Sequence, residues 1–183
     1  MQLKGNIASA PADAVVNAAN NELAGGSGVD GAIHAAARWD ALDDACQAIG
    51  YCDTGKAVVT PAFDMEDVKY IIHTVAPNCC GNTRYTGEPE DEEKMLLYEC
   101  YYNSILLADA FKCRSVNVPS LGTGAFGFPM EHAPGIFLQA VQDYEERNKN
   151  IEVISMVCFT SETEKIYRDD LKDELWDSVE EFC

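Results

Sequence analysis

Asp13-Ala14-Val15-Val16-Asn17-Ala18-Ala19-Asn20 is followed after a short interval by Gly25-Gly26-Ser27-Gly28-Val29-Asp30-Gly31-Ala32-Ile33-His34-Ala35-Ala36-Ala37. The first stretch reads as a buried β-strand, the glycines as a loop almost without side chains, and the alanines as a helix that begins at an acidic residue. Glycines between a strand and a helix N-terminus let backbone N–H groups approach an anion closely, and the helix dipole favours negative charge there. These residues predict a phosphate seat with the Asp30 carboxylate beside it.

A second loop of the same kind, Pro119-Ser120-Leu121-Gly122-Thr123-Gly124-Ala125-Phe126-Gly127-Phe128-Pro129, follows the strand-like run Ser115-Val116-Asn117-Val118 and leads into a helical pattern near Met130. Two glycine loops at one edge of a sheet can hold the two halves of a diphosphate, whereas a monophosphate needs only one. With these motifs in this order, from Gly5 to about Arg168, the chain resembles the macrodomains, modules that bind ADP-ribose. The likeness is greatest to the MacroD-type branch, which hydrolyses O-acetyl-ADP-ribose and ADP-ribosyl esters on proteins. The resemblance implies an α/β fold, a three-layer α/β/α macrodomain with a mixed central sheet, formed as one domain over 1–183. It also implies ADP-ribose, O-acetyl-ADP-ribose or mono-ADP-ribosylated proteins as partners, and a chemistry that needs neither metal nor cofactor.

The resemblance assigns roles residue by residue. Asp30 alone would be a first-turn carboxylate, but at the matching position the family has the acidic residue required for hydrolysis, which orients or deprotonates a water aimed at the distal ribose. Asn20 alone would close a turn; in the family it binds the distal ribose hydroxyls, so Asp30 and Asn20 are the expected catalytic residues. Gly26, Ser27, Gly28 and Val29 form the expected first phosphate loop, and Leu121, Gly122, Thr123, Gly124 and Ala125 the second. Phe126 is expected against the distal ribose, Phe159 on the adenine, and Asn6 and Ile7 at the adenine end. Asn6 stands where the family usually has Asp; its carbonyl oxygen can accept from the adenine amino group, but its NH₂ then needs another partner. Ser27, Ala37 and Ala76 replace usual glycines, and Ser27 is expected to restrict a loop torsion. Asn17 is expected to tie the loop backbone from inside. His34, one turn after Asp30, can pair with it or simply pack.

The second loop also spells GxGxxG, the dinucleotide fingerprint. A Rossmann arrangement wants that motif after the first strand, with an acidic residue about 20 positions on at the end of the next strand; here Glu145 and Glu146 fall within a helical pattern. A NAD-linked oxidoreductase is therefore the distant alternative, and a non-catalytic ADP-ribose reader the near one.

The 183 residues suffice for a core that needs no staples, and 47% apolar residues exclude a disordered chain. A net charge of −18 should repel nucleic acid and anionic membranes. It also opposes an anionic ligand, so local N–H groups must dominate at short range, while distant carboxylates are screened within about 8 to 10 Å. The N-terminus lacks the charged and apolar regions of a signal peptide, and a cytoplasmic location is expected. The eight cysteines include no C-x-x-C pair and are expected as reduced thiols. With the three histidines they form no zinc pattern.

Hydrophobic runs alternate between strand and helix type. Strands are predicted over 14–17, 57–60, 70–74, 115–118 and 153–159, with 1–4 as a short edge strand. Helices are predicted over 30–49, 92–111, 130–148 and 163–182, the last with Leu171, Leu175, Val179 and Phe182 on one face and Ser161 with Glu164 as its capping box. The polar segment 78–91 reads as a surface loop.

Overall fold

The computed structural model describes residues 5–80, 87–147 and 150–171. Five strands, β1 (Ala14–Ala18), β2 (Ala57–Pro61), β3 (Tyr70–Thr74), β4 (Ser115–Pro119) and β5 (Val153–Val157), form one sheet in the order β2-β3-β1-β4-β5. β2 runs antiparallel to β3 and the other pairs are parallel, so the sheet is mixed. The helices are α1 (Gly28–Ala36), α2 (Trp39–Ile49), α3 (Asp91–Ala110), α4 (Ala133–Glu145, preceded by a 3₁₀ turn at Met130–His132) and α5 (Ser161–Asp170).

Alternation along the strands divides the interior in two. Val15, Ile71 and Val157 pack with Ile33, Leu42 and Cys46 of α1 and α2. Their neighbours Ala14, Val16, Ile72 and Met156 pack on the opposite face with Leu97, Tyr101, Phe137 and Tyr167 of α3, α4 and α5. The period of two sends successive side chains to opposite faces, and the result is three layers, α/β/α. α3 follows the helical period, burying Leu97, Cys100, Tyr101, Ser104, Ile105 and Ala108. Among the described residues no helix is long and apolar enough to cross a membrane.

Two helices depart from expectation. The run predicted as one helix over 30–49 is broken at Arg38, whose φ of 68° lies in the left-handed region. Apolar periodicity continues through the break, so the pattern concealed it. α5 is capped by Thr160, whose hydroxyl accepts from the Thr163 N–H at 3.1 Å, not by Ser161. Of its predicted apolar face Leu171 is described and fully buried; Leu175, Val179 and Phe182 lie outside the described residues, as does the predicted edge strand 1–4.

The order places β1 centrally, with β3 on one side and β4 on the other. Loops leaving the carboxyl ends of adjacent parallel strands diverge there and leave a crevice, the usual ligand position in an open α/β sheet. Both glycine loops leave that edge, one after β1 and one after β4.

Candidate functional site

The crevice is a cavity of about 640 Å³. Ser27, Gly28, Val29 and Asp30 line it from the first loop, and Gly122, Thr123, Gly124, Ala125 and Phe126 from the second. Asn6, Ile7 and Phe159 line it further along, so twelve of the predicted site residues share one space.

Three others support it without lining it. Leu121 is fully buried, and its N–H donates to the Tyr101 hydroxyl at 2.9 Å, fixing the base of the second loop. Gly26 lies beneath the Asp30 carboxylate: a Cβ there would stand 3.2 Å from Oδ2. The Asn20 side chain turns to its own loop, its Oδ1 accepting from the Ala24 N–H at 3.0 Å. Ala18, Ala76, Met130 and Thr163 also line the cavity. Sequence reading missed them as site residues because Ala18, Ala76 and Met130 are small or apolar and Thr163, in the first turn of α5, belongs to no motif.

The N–H groups of Gly28, Val29 and Asp30 open α1, and Ser27 makes no side-chain cap bond to them. Those of Thr123, Gly124, Ala125 and Phe126 likewise donate to no described residue. The carbonyls of the second loop are occupied instead: Cys79 N–H donates to Phe126 O at 2.7 Å, and the Cys80 thiol to Ala125 O at 3.0 Å. Amides with no partner among the described residues, on loops that line a cavity and whose carbonyls are tied back, are groups that can seat an anion.

Glycine matters at particular points of these loops. Gly28 and Gly122 have φ of 63° and 73°, and a Cβ on Gly122 would stand 3.1 Å from the Ala76 Cβ. Ser27 has φ −114° and ψ −179°, extended backbone that serine adopts freely, which corrects the expected torsional restriction. Phe159 lies beyond the end of β5, 78% exposed beside the cavity, instead of closing the strand as expected. Asn6 is exposed, and its Oδ1 accepts from the Ala8 N–H at 3.1 Å, holding a turn.

Asp30 sits in the first turn of α1, 5% exposed. Its Oδ1 accepts from Asn17 Nδ2 at 2.6 Å and lies 3.2 Å from His34 Nδ1. That nitrogen is also 3.0 Å from the Asp30 carbonyl oxygen, so it faces two acceptors and must carry hydrogen. Burial pushes the His34 pKa down, but the hydrogen bond to Asp30, with help from Cys46 and from the charge of Asp30, outweighs it and raises the imidazole to about 10. The Trp39 ring lies beside the imidazole at a centroid distance of 4.9 Å. Asn17 was expected to tie the loop backbone; its amide instead spans Asp30 and His73, whose Nδ1 lies 3.1 Å away. His73 is a further residue of the site that no sequence signal marked, because only strand pairing brings it beside Asn17.

Comparison with known proteins follows the same lines. The Macro domain family model matches residues 16–137. The chain is 43% identical over 169 residues to an O-acetyl-ADP-ribose deacetylase of Salmonella newport, covering 90% of this chain and 89% of that one. It is 37% identical to ADP-ribose glycohydrolase MACROD1 of Mus musculus over 92% of this chain and 50% of that one. Among solved structures, a mutant Oceanobacillus iheyensis macrodomain with ADPR superposes with a TM-score of 0.83 at 33% identity, covering 93% of this chain and 90% of that chain. A family model running from within β1 to the start of α4, joined to identity of this level across nine-tenths of the sequence, establishes that the chain belongs to the macro domain family.

Proposed function

We propose that this protein hydrolyses ADP-ribosyl esters, either O-acetyl-ADP-ribose or ADP-ribose carried on acidic side chains of proteins. The observation that carries the reading is Asp30: a nearly buried carboxylate at the cavity wall, its Oδ1 held by Asn17 and His34, beside two arrays of unused amide donors. The family resemblance and the named activities of the deacetylase and glycohydrolase relatives support the same assignment.

The diphosphate would rest on the N–H groups of 28–30 and 123–126, which carry fixed partial charge and require no reorganisation. Phe159 offers an exposed face for adenine, and Phe126 walls the distal ribose. Asp30 accepts a hydrogen bond from a water and aims it at the ester. The water oxygen bonds to the electrophilic carbon, the ester C–O bond breaks, and the water's hydrogens pass to the two products, a carboxylic acid and ADP-ribose. A carboxylate is a weak base, so alignment contributes more than basicity. The His34 Nδ1–H and the Asn17 amide hold that carboxylate in one orientation. Asn20 would act through the loop it shapes and through the distal ribose hydroxyls.

Asp30→Ala is expected to remove most single-turnover hydrolysis of O-acetyl-ADP-ribose while leaving ADP-ribose affinity by calorimetry within about tenfold, or about 1.4 kcal/mol. Full activity in a folded variant would sink the role. Binding of ADP-ribose by the native chain without release of acetate, followed by mass spectrometry, would select the reader instead.

A further inference from the structure

Behind Asp30 a line of hydrogen bonds crosses three strands. Asn17 on β1 and His73 on β3 are register partners, and Thr60 on β2 lies diagonally next to His73, paired with Ile71. All three side chains face α1 and α2, and all are buried. Asn17 Nδ2 is 2.6 Å from Asp30 Oδ1 and 3.1 Å from His73 Nδ1; His73 Nε2 is 2.9 Å from Thr60 Oγ1.

The donor and acceptor roles along this line are determined by the carboxylate. A carboxylate oxygen accepts, so Asn17 must present its NH₂ to Asp30 and not its carbonyl. The second hydrogen of that NH₂ then points at His73 Nδ1, which must be a bare acceptor. The proton of the neutral ring resides on Nε2 and is donated to Thr60. Were Nδ1 protonated, two donors would oppose each other, and relief by turning the amide would set Asn17 Oδ1 against the carboxylate. Asn17 Oδ1 is already buried without a partner among the described residues, so the amide orientation is maintained by its two donated bonds. The titratable groups around His73 are Asp30 and His34 on α1 and the Cys46 thiol on α2, 3.9 Å from Nε2. Burial, aided by the His34 charge, brings the His73 pKa down to about 4, against an opposing pull from Asp30.

We propose that His73, whose Nε2–H is accepted by Thr60 while its bare Nδ1 accepts from Asn17, is a positioning residue: through Asn17 it fixes the direction of the Asp30 carboxylate. The inference rests on Asp30 being the hydrolytic carboxylate. It identifies a residue of β3 and one of β2, neither lining the cavity, as contributors to turnover but not to ligand affinity.

The test uses the full chain with ¹⁵N-labelled histidine, assigned with a His73→Gln variant. Nitrogen shifts at neutral pH are expected to show His73 Nε2 protonated and Nδ1 bare. Thr60→Val keeps the side-chain shape and removes the acceptor; it should allow the other tautomer and lower kcat about tenfold, with KM and ADP-ribose affinity nearly unchanged. Thr60→Ser keeps the hydroxyl and should retain both tautomer and kcat. A proton on Nδ1 in the native protein, or wild-type kcat in folded Thr60→Val, overturns the proposal. A loss common to Thr60→Ser and Thr60→Val, or one expressed in KM, assigns the line to packing and also overturns it. The shifts are read without substrate, so a native chain that hydrolyses no ester refutes the hydrolase reading, whereas turnover with the wrong tautomer refutes this proposal alone.

Discussion

Two buried histidines flank the same carboxylate, and their opposite pKa shifts shape the pH dependence of folding. Free imidazole titrates near 6.5, while folded His73 titrates at about 4 and folded His34 at about 10. Between pH 4 and 6.5 the unfolded chain binds a proton that folded His73 refuses, so stability rises with pH; above 6.5 folded His34 keeps a proton that the unfolded chain has lost, so stability falls. The urea midpoint should therefore peak near pH 6.5 and decline toward about pH 9, where buried thiols begin to add their own slope. The Asp13 carboxyl, lowered chiefly by its hydrogen bond to Lys69, acts below this window. His34→Gln should flatten the alkaline limb and His73→Gln the acid limb; an unchanged profile in either folded variant would contradict the assigned shift. Asn6 offers a separate residue-scale test. Its Oδ1 already accepts from Ala8 N–H, so Asn6→Asp should keep the turn and tighten ADP-ribose binding by about 1 kcal/mol if the second oxygen meets the adenine amino group. A weaker complex by calorimetry would show that this residue serves the turn alone.

At the scale of elements, the junction between the first loop and α1 is the most demanding contact. Gly31 lies inside α1, where alanine is ordinarily favoured by about 1 kcal/mol. A Cβ there would stand 2.7 Å from the Gly26 carbonyl oxygen, a backbone atom that moves only with its loop. Gly31→Ala is thus expected to reverse the usual sign, costing at least about 1 kcal/mol in urea denaturation and weakening ADP-ribose binding. Gly124 makes the contrasting case: a Cβ there meets nothing within 4 Å, and no left-handed φ is required. Gly124→Ala should leave stability within about 0.5 kcal/mol, so any loss of affinity reports contact with the ligand itself. The two glycines are indistinguishable in the primary sequence as members of glycine-rich runs. Their difference comes from what each backbone faces, the underside of a loop or an open cavity.

For the molecule as a whole, a chain of net charge −18 is expected to bind a diphosphate. The local amides must outweigh a general repulsion, and salt screens the distant carboxylates more than donors in direct contact. ADP-ribose affinity should accordingly hold or rise as sodium chloride increases from about 20 to about 200 mM, the reverse of binding dominated by Lys or Arg. A steep loss of affinity with salt in calorimetry would point to a cationic contact and reduce the role of the amides.

The strand, glycine loop and helix of 14–36, and their echo at 115–145, were legible in the primary sequence because local rules generate them: period-two burial, glycine punctuation and a helix that opens at an acidic turn. Those rules carried the alternation of strands and helices and the two glycine loops, and the resemblance to macrodomains supplied the three-layer sheet and the rest of the expected cavity lining. They carried neither the break at Arg38, across which the apolar period runs on, nor the exit of Phe159 from the sheet. Least of all did they reveal the partners of Asn17. Asn17 and His73 are far apart along the chain and become neighbours only when β1 and β3 pair in register. Thr60 joins them only because β2 adds antiparallel at the edge. Local sequence determined where an anion would sit; long-range strand pairing, which no local pattern encodes, decided what holds the carboxylate beside it.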